Sequence, residues 1–400
     1  MEFEKKSIVK KKKFAVLQIG ARMHYAIPSI FLKNKKLAVF YTDIHSDHFF
    51  LKILKLIIPK RFRPLKLKNL FARKLPANLS KKFIKDLPLL SLIFYLNPKK
   101  KDGLVLDRAL KDRFSGADAI YTNFINDDIE YIKKAKDLGL YIVHEMILAP
   151  NSGLIMYEEN NKFPNISLSN EKLEDIERGI ILDKIKWDLS DKILVPSKYC
   201  QDNAISMGAK SEKLFLVNYG INEDFFNFEP NPQKGRILFV GEVSLRKGSH
   251  YFAEASRILS GRGKKYNFVA AGSIKVDINN SLFKGVTYLG HIPRNVMINQ
   301  YLNADIFVLP TLVEGMAIAH LEAMAFGLPV ITTPNCGSIV SNSKEGFIIP
   351  IRDPEILASR IEEIVEDRDL RKQMSIRSKK IAKKYTWDRY SEKLLNVIDN

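Results

Sequence analysis

Apolar residues recur along this chain in short β-branched and aromatic runs, separated by longer stretches of helical period. That alternation predicts parallel sheets with crossover helices. In the first half, residues 14–19, 37–41, 119–122, 140–144 and 192–195 read as strands. In the second, residues 237–240, 267–270, 286–288, 306–309, 330–332 and 346–349 do so. Each set is enough for one doubly wound α/β domain. Asp353 followed by Pro354 and Glu355 predicts an N-cap with proline at the first helical position, opening a helix that runs to about residue 367. Tyr385, Trp387, Tyr390, Leu394, Leu395 and Ile398 repeat with a helical period and predict a last helix. Between the two sets, residues 222–235 carry Asn227, Pro230, Asn231 and Pro232, the composition of a linker.

A chain of 400 residues exceeds the size at which one core keeps growing, which fits two domains of roughly 200 residues each. With 46% hydrophobic residues, both can bury a core. The 64 Lys and Arg against 45 Asp and Glu leave a net charge of +19, which calls for an anionic partner: phospholipid, phosphorylated substrate or nucleic acid. No nucleic-acid module is present, nor aromatic residues interleaved on a basic surface in the pattern such binding uses, so no nucleic-acid partner is expected. Cys200 and Cys336 stand alone without C-x-x-C spacing, which points to a reducing cytosol and to neither a disulfide framework nor a zinc site. The lysines before residue 14 are followed by an apolar run too short for a signal-peptide core. Residues 87–96 fall short of the ~20 needed to span a bilayer. Neither export nor membrane integration is expected; the expected location is the cytoplasm.

The chemistry concentrates in Glu314-Gly-Met-Ala-Ile-Ala-His-Leu-Glu322, two carboxylates eight positions apart after the strand 306–309 and Pro310. Open α/β sheets bind ligands at the carboxyl ends of their strands, where Glu314 falls. Gly315 permits close backbone approach, and Ala317 and Ala319 begin a helix whose terminal amides, around Met316 and Ala317, can face a diphosphate. Glu322 is placed a little over two turns into that helix. A second block, Phe239-Val-Gly241-Glu-Val-Ser-Leu-Arg246-Lys247-Gly248, reads as strand, glycine turn and helix, with cations where a phosphate would rest. Asp367-Arg368-Asp369 spells D-x-D but lies between two C-terminal helices, and reads as surface charge. A Gly-x-Gly-x-x-Gly fingerprint is absent, which removes support for a dinucleotide oxidoreductase.

The Glu314 to Glu322 spacing resembles the E-x7-E motif of retaining glycosyltransferases of family 4, glycosyl transferases group 1. Residues 304–310 and 322–331 match the family's surroundings of that motif. The 239–248 block is similar to the family's donor-phosphate loop, with Lys247 at the lysine position. The family commonly has arginine directly after the first glycine; here that residue is Glu242, and Arg246 is available to supply the charge. Residues 190–197 and 217–222 look like the segment closing the first domain. Tyr288-Leu-Gly290-His291-Ile-Pro293 looks like the loop passing the nucleotide base, and residues 385–400 resemble the tail helix that returns to the first domain. The likeness covers nearly all of residues 185–400 and is mostly architectural before that.

The resemblance implies a GT-B fold, two facing Rossmann-like domains with a cleft between them. It divides the chain into an acceptor-side domain (1–222), a linker (223–235), a nucleotide-sugar domain (236–384) and a returning helix (385–400). It implies a hexosyltransferase-like enzyme that takes a nucleotide diphosphate sugar and glycosylates a saccharide or lipid-linked saccharide in polysaccharide or lipopolysaccharide synthesis. Glu314, Lys247 and His144 are then the expected catalytic residues. Gly241, Arg246, Gly290, His291, Gly315, Met316, Ala317 and Glu322 join Lys247 and Glu314 in binding the donor. Gly20 and His144 mark the acceptor side. No cofactor and no metal are expected. A GT-B epimerase and a catalytically inactive sugar-nucleotide binder are the alternatives.

One stretch falls outside this scheme. Residues 51–101 hold 15 Lys or Arg and a single acid, Asp86, and account for +14 of the net charge. Apolar residues interleave with these cations, among them Phe49, Phe50, Ile53, Leu54, Ile57 and Ile58 around Lys52 and Lys55, and later residues 87–96. That pattern predicts a segment lying on an anionic membrane surface, peripheral at the inner face.

Overall fold

Each run marked as a strand is a strand in the computed structural model, which describes residues 12–63, 65–87, 98–164, 166 and 171–400. By contacts the chain divides into two units. The first comprises Met1–Glu145, Leu182–Leu194 and Leu395–Asn400; the second comprises Met146–Ile181 and Val195–Leu394.

The first unit contains strands β1 (Phe14–Leu17), β2 (Leu37–Tyr41), β3 (Ile84–Lys85), β4 (Ala119–Thr122), β5 (Tyr141–Glu145) and most of β6 (Lys192–Val195). They lie in the order β3-β2-β1-β4-β5-β6 with parallel pairing throughout. Helices α1 (Ala26–Lys33), α2 (Phe49–Ile57), α3 (Leu65–Phe71), α4 (Pro98–Lys111) and α5 (Ile129–Asp137) connect them. The core forms where Ala15, Leu17, Val39, Ile120 and Ile142 of the strands meet Val105, Leu106 and Ala109 of α4 and Ile132 and Ala135 of α5. The chain's last residues belong here too: Lys36 pairs with Asp399, and the Lys192 ammonium donates to the Val397 carbonyl.

The second unit begins with α6 (Ser152–Lys162), takes in part of α7 (Leu173–Leu189), and continues through α8 (Lys198–Ser206) and β7 (Leu214–Leu216). Its sheet is formed by β8 (Arg236–Val240), β9 (Asn267–Ala271), β10 (Thr287–Gly290), β11 (Ile306–Leu309), β12 (Val330–Thr332) and β13 (Gly346–Ile348). The order is β10-β9-β8-β11-β12-β13, all parallel. Helices α9 (Ser249–Gly261), α10 (Arg294–Asn303), α11 (Ile318–Ala325), α12 (Pro354–Glu366), α13 (Arg368–Ala382) and the part of α14 (Trp387–Asp399) up to Leu394 follow. The Asp353 carboxylate accepts from the Ile356 amide at 2.9 Å, the cap expected there.

The contact division differs from the boundaries expected at residues 222 and 236. Residues 146–181 and 195–222 are held in the second unit by side-chain and backbone contacts that do not show in a linear pattern. The buried Glu159 carboxylate accepts from His250 Nε2 at 2.8 Å, Tyr251 at 2.7 Å and Arg352 at 2.7 Å. Within the expected linker, Glu223–Asn227 forms a 3-10 turn, and the amides of Asn231 and Gln233 donate to the Leu302 and Asn303 carbonyls. Strands β3 and β7, of two and three residues, are too short to show a period.

Candidate active site

In the second unit, parallel pairing brings the loops after β8 and β11 side by side. The Leu312 amide donates to the Arg246 carbonyl at 2.9 Å, and the Thr311 hydroxyl does so at 3.0 Å. The two expected motifs are thereby fastened to one another, and their side chains meet. Lys247 Nζ lies 2.6 Å from Glu314 Oε1, and the Arg246 guanidinium pairs with the same oxygen. All three side chains are largely shielded, with Glu314 and Lys247 each 12% exposed. Two cations share one carboxylate, so the cluster carries an unbalanced positive charge at the carboxyl end of the sheet, in surroundings where screening is weak.

Gly315, next to Glu314, is fixed from several sides. A Cβ there would stand 2.2 Å from the Ile147 carbonyl oxygen, a distance only glycine tolerates. Its own carbonyl accepts from the Ser197 hydroxyl at 2.6 Å and lies 3.4 Å from the Cys200 thiol, while the Glu314 amide donates to the Asn335 carbonyl at 2.9 Å. Burial pushes the Cys200 thiol up to about 12, so it serves as packing and a weak donor rather than a nucleophile.

Beyond this turn the structure differs from the sequence expectation. Helix α11 begins only at Ile318, which puts Glu322 in its second turn rather than a little over two turns in. The Ala317 amide donates to the Cys336 carbonyl at 3.2 Å, so this N–H is already engaged and does not face a ligand; Pro334 and Gly337 bend the chain so that this carbonyl reaches it. Met316 is buried, its sulfur accepting from the Tyr219 amide at 3.4 Å.

Glu322 stands in a second cluster. Its oxygens accept from the Tyr301 hydroxyl at 3.0 Å and pair with Arg294 at 3.5 Å. Burial raises the carboxyl above the ordinary glutamate range, with Arg294 and Tyr301 opposing the rise. Tyr301 is fully buried and stacks on Phe326 with ring centroids 5.1 Å apart. The sequence pattern singles out neither Arg294 nor Tyr301, although Arg294 directly follows the Gly290 to Pro293 loop and Tyr301 lies two helical turns beyond it. Gly241 directly follows β8, its amide donating to the Ala271 carbonyl at 3.0 Å; Gly290 ends β10, its carbonyl accepting from the Gly272 amide at 2.9 Å; His291 is exposed beside it. Glu242 is half-buried in the turn after β8.

His144 and Gly20 lie in the first unit. The His144 ring is buried on β5, and burial together with the nearby Lys186 cation holds it well below the usual histidine value, so it is neutral at physiological pH. Its Nδ1 has no hydrogen-bond partner among the described residues. The Gly20 amide donates to Asp43 at 2.8 Å, and Asp43 in turn holds Arg73 at 2.6 Å. Beside it Glu145 is buried among Tyr121, Asn123 and Arg22, at 2.8, 3.3 and 3.0 Å. These polar groups, gathered at the carboxyl ends of β1, β2, β4 and β5, leave no trace in the sequence pattern because their partners lie up to 123 positions away.

Asp367 and Asp369 are exposed, in keeping with the surface-charge reading, and the triplet also makes structural contacts. Asp367 caps α13 by accepting from the Leu370 amide at 2.9 Å, and Arg368 pairs with the buried Asp305 at 2.7 Å.

Residues 220–381 match the family model of glycosyl transferases group 1. The chain is 31% identical over 210 residues to the amylovoran biosynthesis glycosyltransferase AmsK of Erwinia amylovora, covering 46% of this chain and 51% of AmsK. It is 27% identical over 216 residues to the capsular polysaccharide biosynthesis glycosyltransferase CapM of Staphylococcus aureus, covering 48% of this chain and 56% of CapM. The chain thus spans about half the length of the relatives it matches. Anabaena HepE, solved in complex with UDP and glucose, superposes with a TM-score of 0.66 at 13% identity over 97% of this chain and 99% of its own, a likeness that shows the fold, GT-B. The likeness to the glycosyl transferases group 1 rests on residues 220–381, the stretch that holds Arg246, Lys247, Glu314 and Glu322.

Proposed function

We propose that the protein is a configuration-retaining glycosyltransferase. It takes a sugar from a nucleotide diphosphate donor to a saccharide or lipid-linked saccharide acceptor, in cell-surface polysaccharide or lipopolysaccharide synthesis. The observation that carries this reading is the convergence of Arg246 and Lys247 on Glu314 at the sheet's carboxyl end. The names of AmsK and CapM support the polysaccharide context, and the UDP and glucose bound by HepE support the donor class.

In this proposal Lys247 and Arg246 pass from Glu314 to the diphosphate, and the freed Glu314 carboxylate accepts hydroxyls of the sugar. Negative charge grows on the departing phosphate as the glycosidic bond breaks, so the two cations favour the transition state over the ground state. The leaving phosphate takes the proton of the attacking hydroxyl. Glu322 holds the ribose, with Gly241, Gly290, His291, Gly315 and Met316 shaping the rest of the donor site. Gly20 and the neutral His144 serve the acceptor side. The acceptor is met at an anionic membrane surface on its cytoplasmic face. Among the described residues no helix is long and apolar enough to cross a membrane.

Two results are expected. A panel of nucleotide diphosphate sugars contains one that raises the melting temperature and is consumed only when acceptor is present; free epimerised donor without acceptor would instead favour an epimerase, and binding without turnover an inactive binder. Transfer persists with excess chelator, because side-chain cations provide the charge that a metal would; loss restored by magnesium or manganese would contradict this. Glu322 also predicts a pH dependence. Its raised carboxyl takes up a proton at higher pH than an ordinary glutamate, so donor affinity falls on acidification at a higher pH than an ordinary glutamate would give. Calorimetry should show this fall in the wild type and a flatter profile in Glu322→Gln.

A further inference from the structure

Helix α2 is apolar on two opposite sides. At 3.6 residues per turn, Leu51 and Leu54 face one way, and Phe49, Phe50, Ile53, Leu56 and Ile57 the other. The first side is explained by packing: Leu51 is buried with Ile44, Leu70 and Phe71, and Leu54 packs against them. The second is turned to solvent, with Leu56 85%, Ile57 69% and Phe49 67% exposed. Phe62, on the 3-10 turn that follows, is 64% exposed. Apolar faces of this size on a surface mark an interaction site.

Charge says what covers it. Residues 48–85 contain 12 Lys or Arg and no Asp or Glu. Lys52 and Lys55 are exposed on the flank of the stripe, and Arg61 is exposed beside Phe62, its guanidinium 4.6 Å from that ring. Arg63 donates to the Ile58 carbonyl at 2.8 Å and the Lys55 carbonyl at 2.6 Å, which holds the cationic turn against the end of α2. The acids bordering the stretch are engaged elsewhere: Asp47 accepts from the Leu75 amide at 2.9 Å, and Asp86 lies 3.1 Å from His45. A second copy docked on this face would set like charge against like, and nucleic acid offers nothing to an apolar stripe. A bilayer with anionic headgroups answers both features, taking the apolar side chains below its surface and the cations at its phosphates.

We propose that the outward face of α2 and the following turn dock the protein on an anionic phospholipid bilayer, with Phe49, Phe50, Leu56, Ile57 and Phe62 as the inserting side chains. This rests on, and makes specific, the membrane-surface acceptor of the proposed function. It is tested by sedimenting the full chain with vesicles of phosphatidylcholine, alone or mixed with phosphatidylglycerol, at low and high salt. Binding is expected only with phosphatidylglycerol and weakens with salt. Lys52→Gln with Lys55→Gln should lower the partition coefficient roughly 25-fold, at about fivefold per cation. Leu56→Gln with Ile57→Gln should lower it at least about tenfold, since solvated apolar side chains lose their transfer into the interface. Both pairs are on the surface and should melt like the wild type, with the same thermal stabilisation by sugar nucleotide. Absence of binding to anionic vesicles at low salt overturns the proposal, as does a dimer in solution that Leu56→Gln with Ile57→Gln dissolves. Sugar-nucleotide stabilisation without vesicle binding removes the docking surface alone; vesicle binding without sugar-nucleotide stabilisation removes the donor reading alone.

Discussion

Replacing Lys247 by alanine is expected to lower the transfer rate about 10²–10³-fold, the usual cost of removing one preorganised group that stabilises developing negative charge. The ammonium lies 2.6 Å from Glu314 in a shielded cluster, where its charge acts with little screening. Donor affinity should fall as well, and by more than in Glu242→Ala, because the glutamate offers nothing to a diphosphate. Glu314→Ala should abolish most transfer for a different reason. Arg246 and Lys247 lose the carboxylate that gathers them, and the sugar loses its acceptor of hydroxyl bonds. The fold should survive that change, since the cations can turn to solvent. Steady-state rates with donor and acceptor at saturation, together with melting temperatures, check the set; wild-type rates in either alanine variant would sink the assignment, and equal donor affinities for Lys247→Ala and Glu242→Ala would remove the phosphate role.

Gly248→Ala is the second substitution with a large expected effect, and it works through the backbone. Gly248 has φ +68, and a Cβ there would stand 1.9 Å from the Pro310 carbonyl oxygen. The left-handed backbone alone costs a residue with a side chain roughly 1–2 kcal/mol, and the clash must be relieved by moving either the start of α9 or the end of β11. Those segments carry Lys247 and the approach to Glu314. A loss of about 2–4 kcal/mol in unfolding free energy is expected, at the upper end of single-residue effects, with donor-induced stabilisation lost in the remaining folded protein. Denaturant unfolding with and without sugar nucleotide measures both; an unchanged midpoint and intact donor response would show that the loop accommodates a methyl group.

Apart from the short β3 and β7, the strands were legible in the amino-acid order alone, because a buried parallel strand must be apolar along its whole length, and the runs at 37–41, 119–122, 192–195, 306–309 and 330–332 are strands with the bounds read from the pattern. So were the residues that the glycosyl transferases group 1 motifs select, since Glu314, Arg246 and Lys247 sit in short local patterns of strand, glycine and cation. How those residues are used came from packing. That Lys247 and Arg246 both close on Glu314 depends on β8 and β11 being neighbours in the sheet, with Arg246 and Glu314 68 positions apart in the chain. That Gly315 admits no side chain depends on Ile147, and that the Ala317 amide is taken depends on Cys336. Arg294 and Tyr301 acquire meaning only through Glu322, which they reach because α10 and α11 bring them together. The grouping of residues 146–181 with the second unit rests on Glu159 and its three donors, the nearest of them 91 positions away. Local pattern dictates what a segment must be, because propensity and burial act over a few residues; which distant groups meet is set by packing, and packing has no signature along the chain.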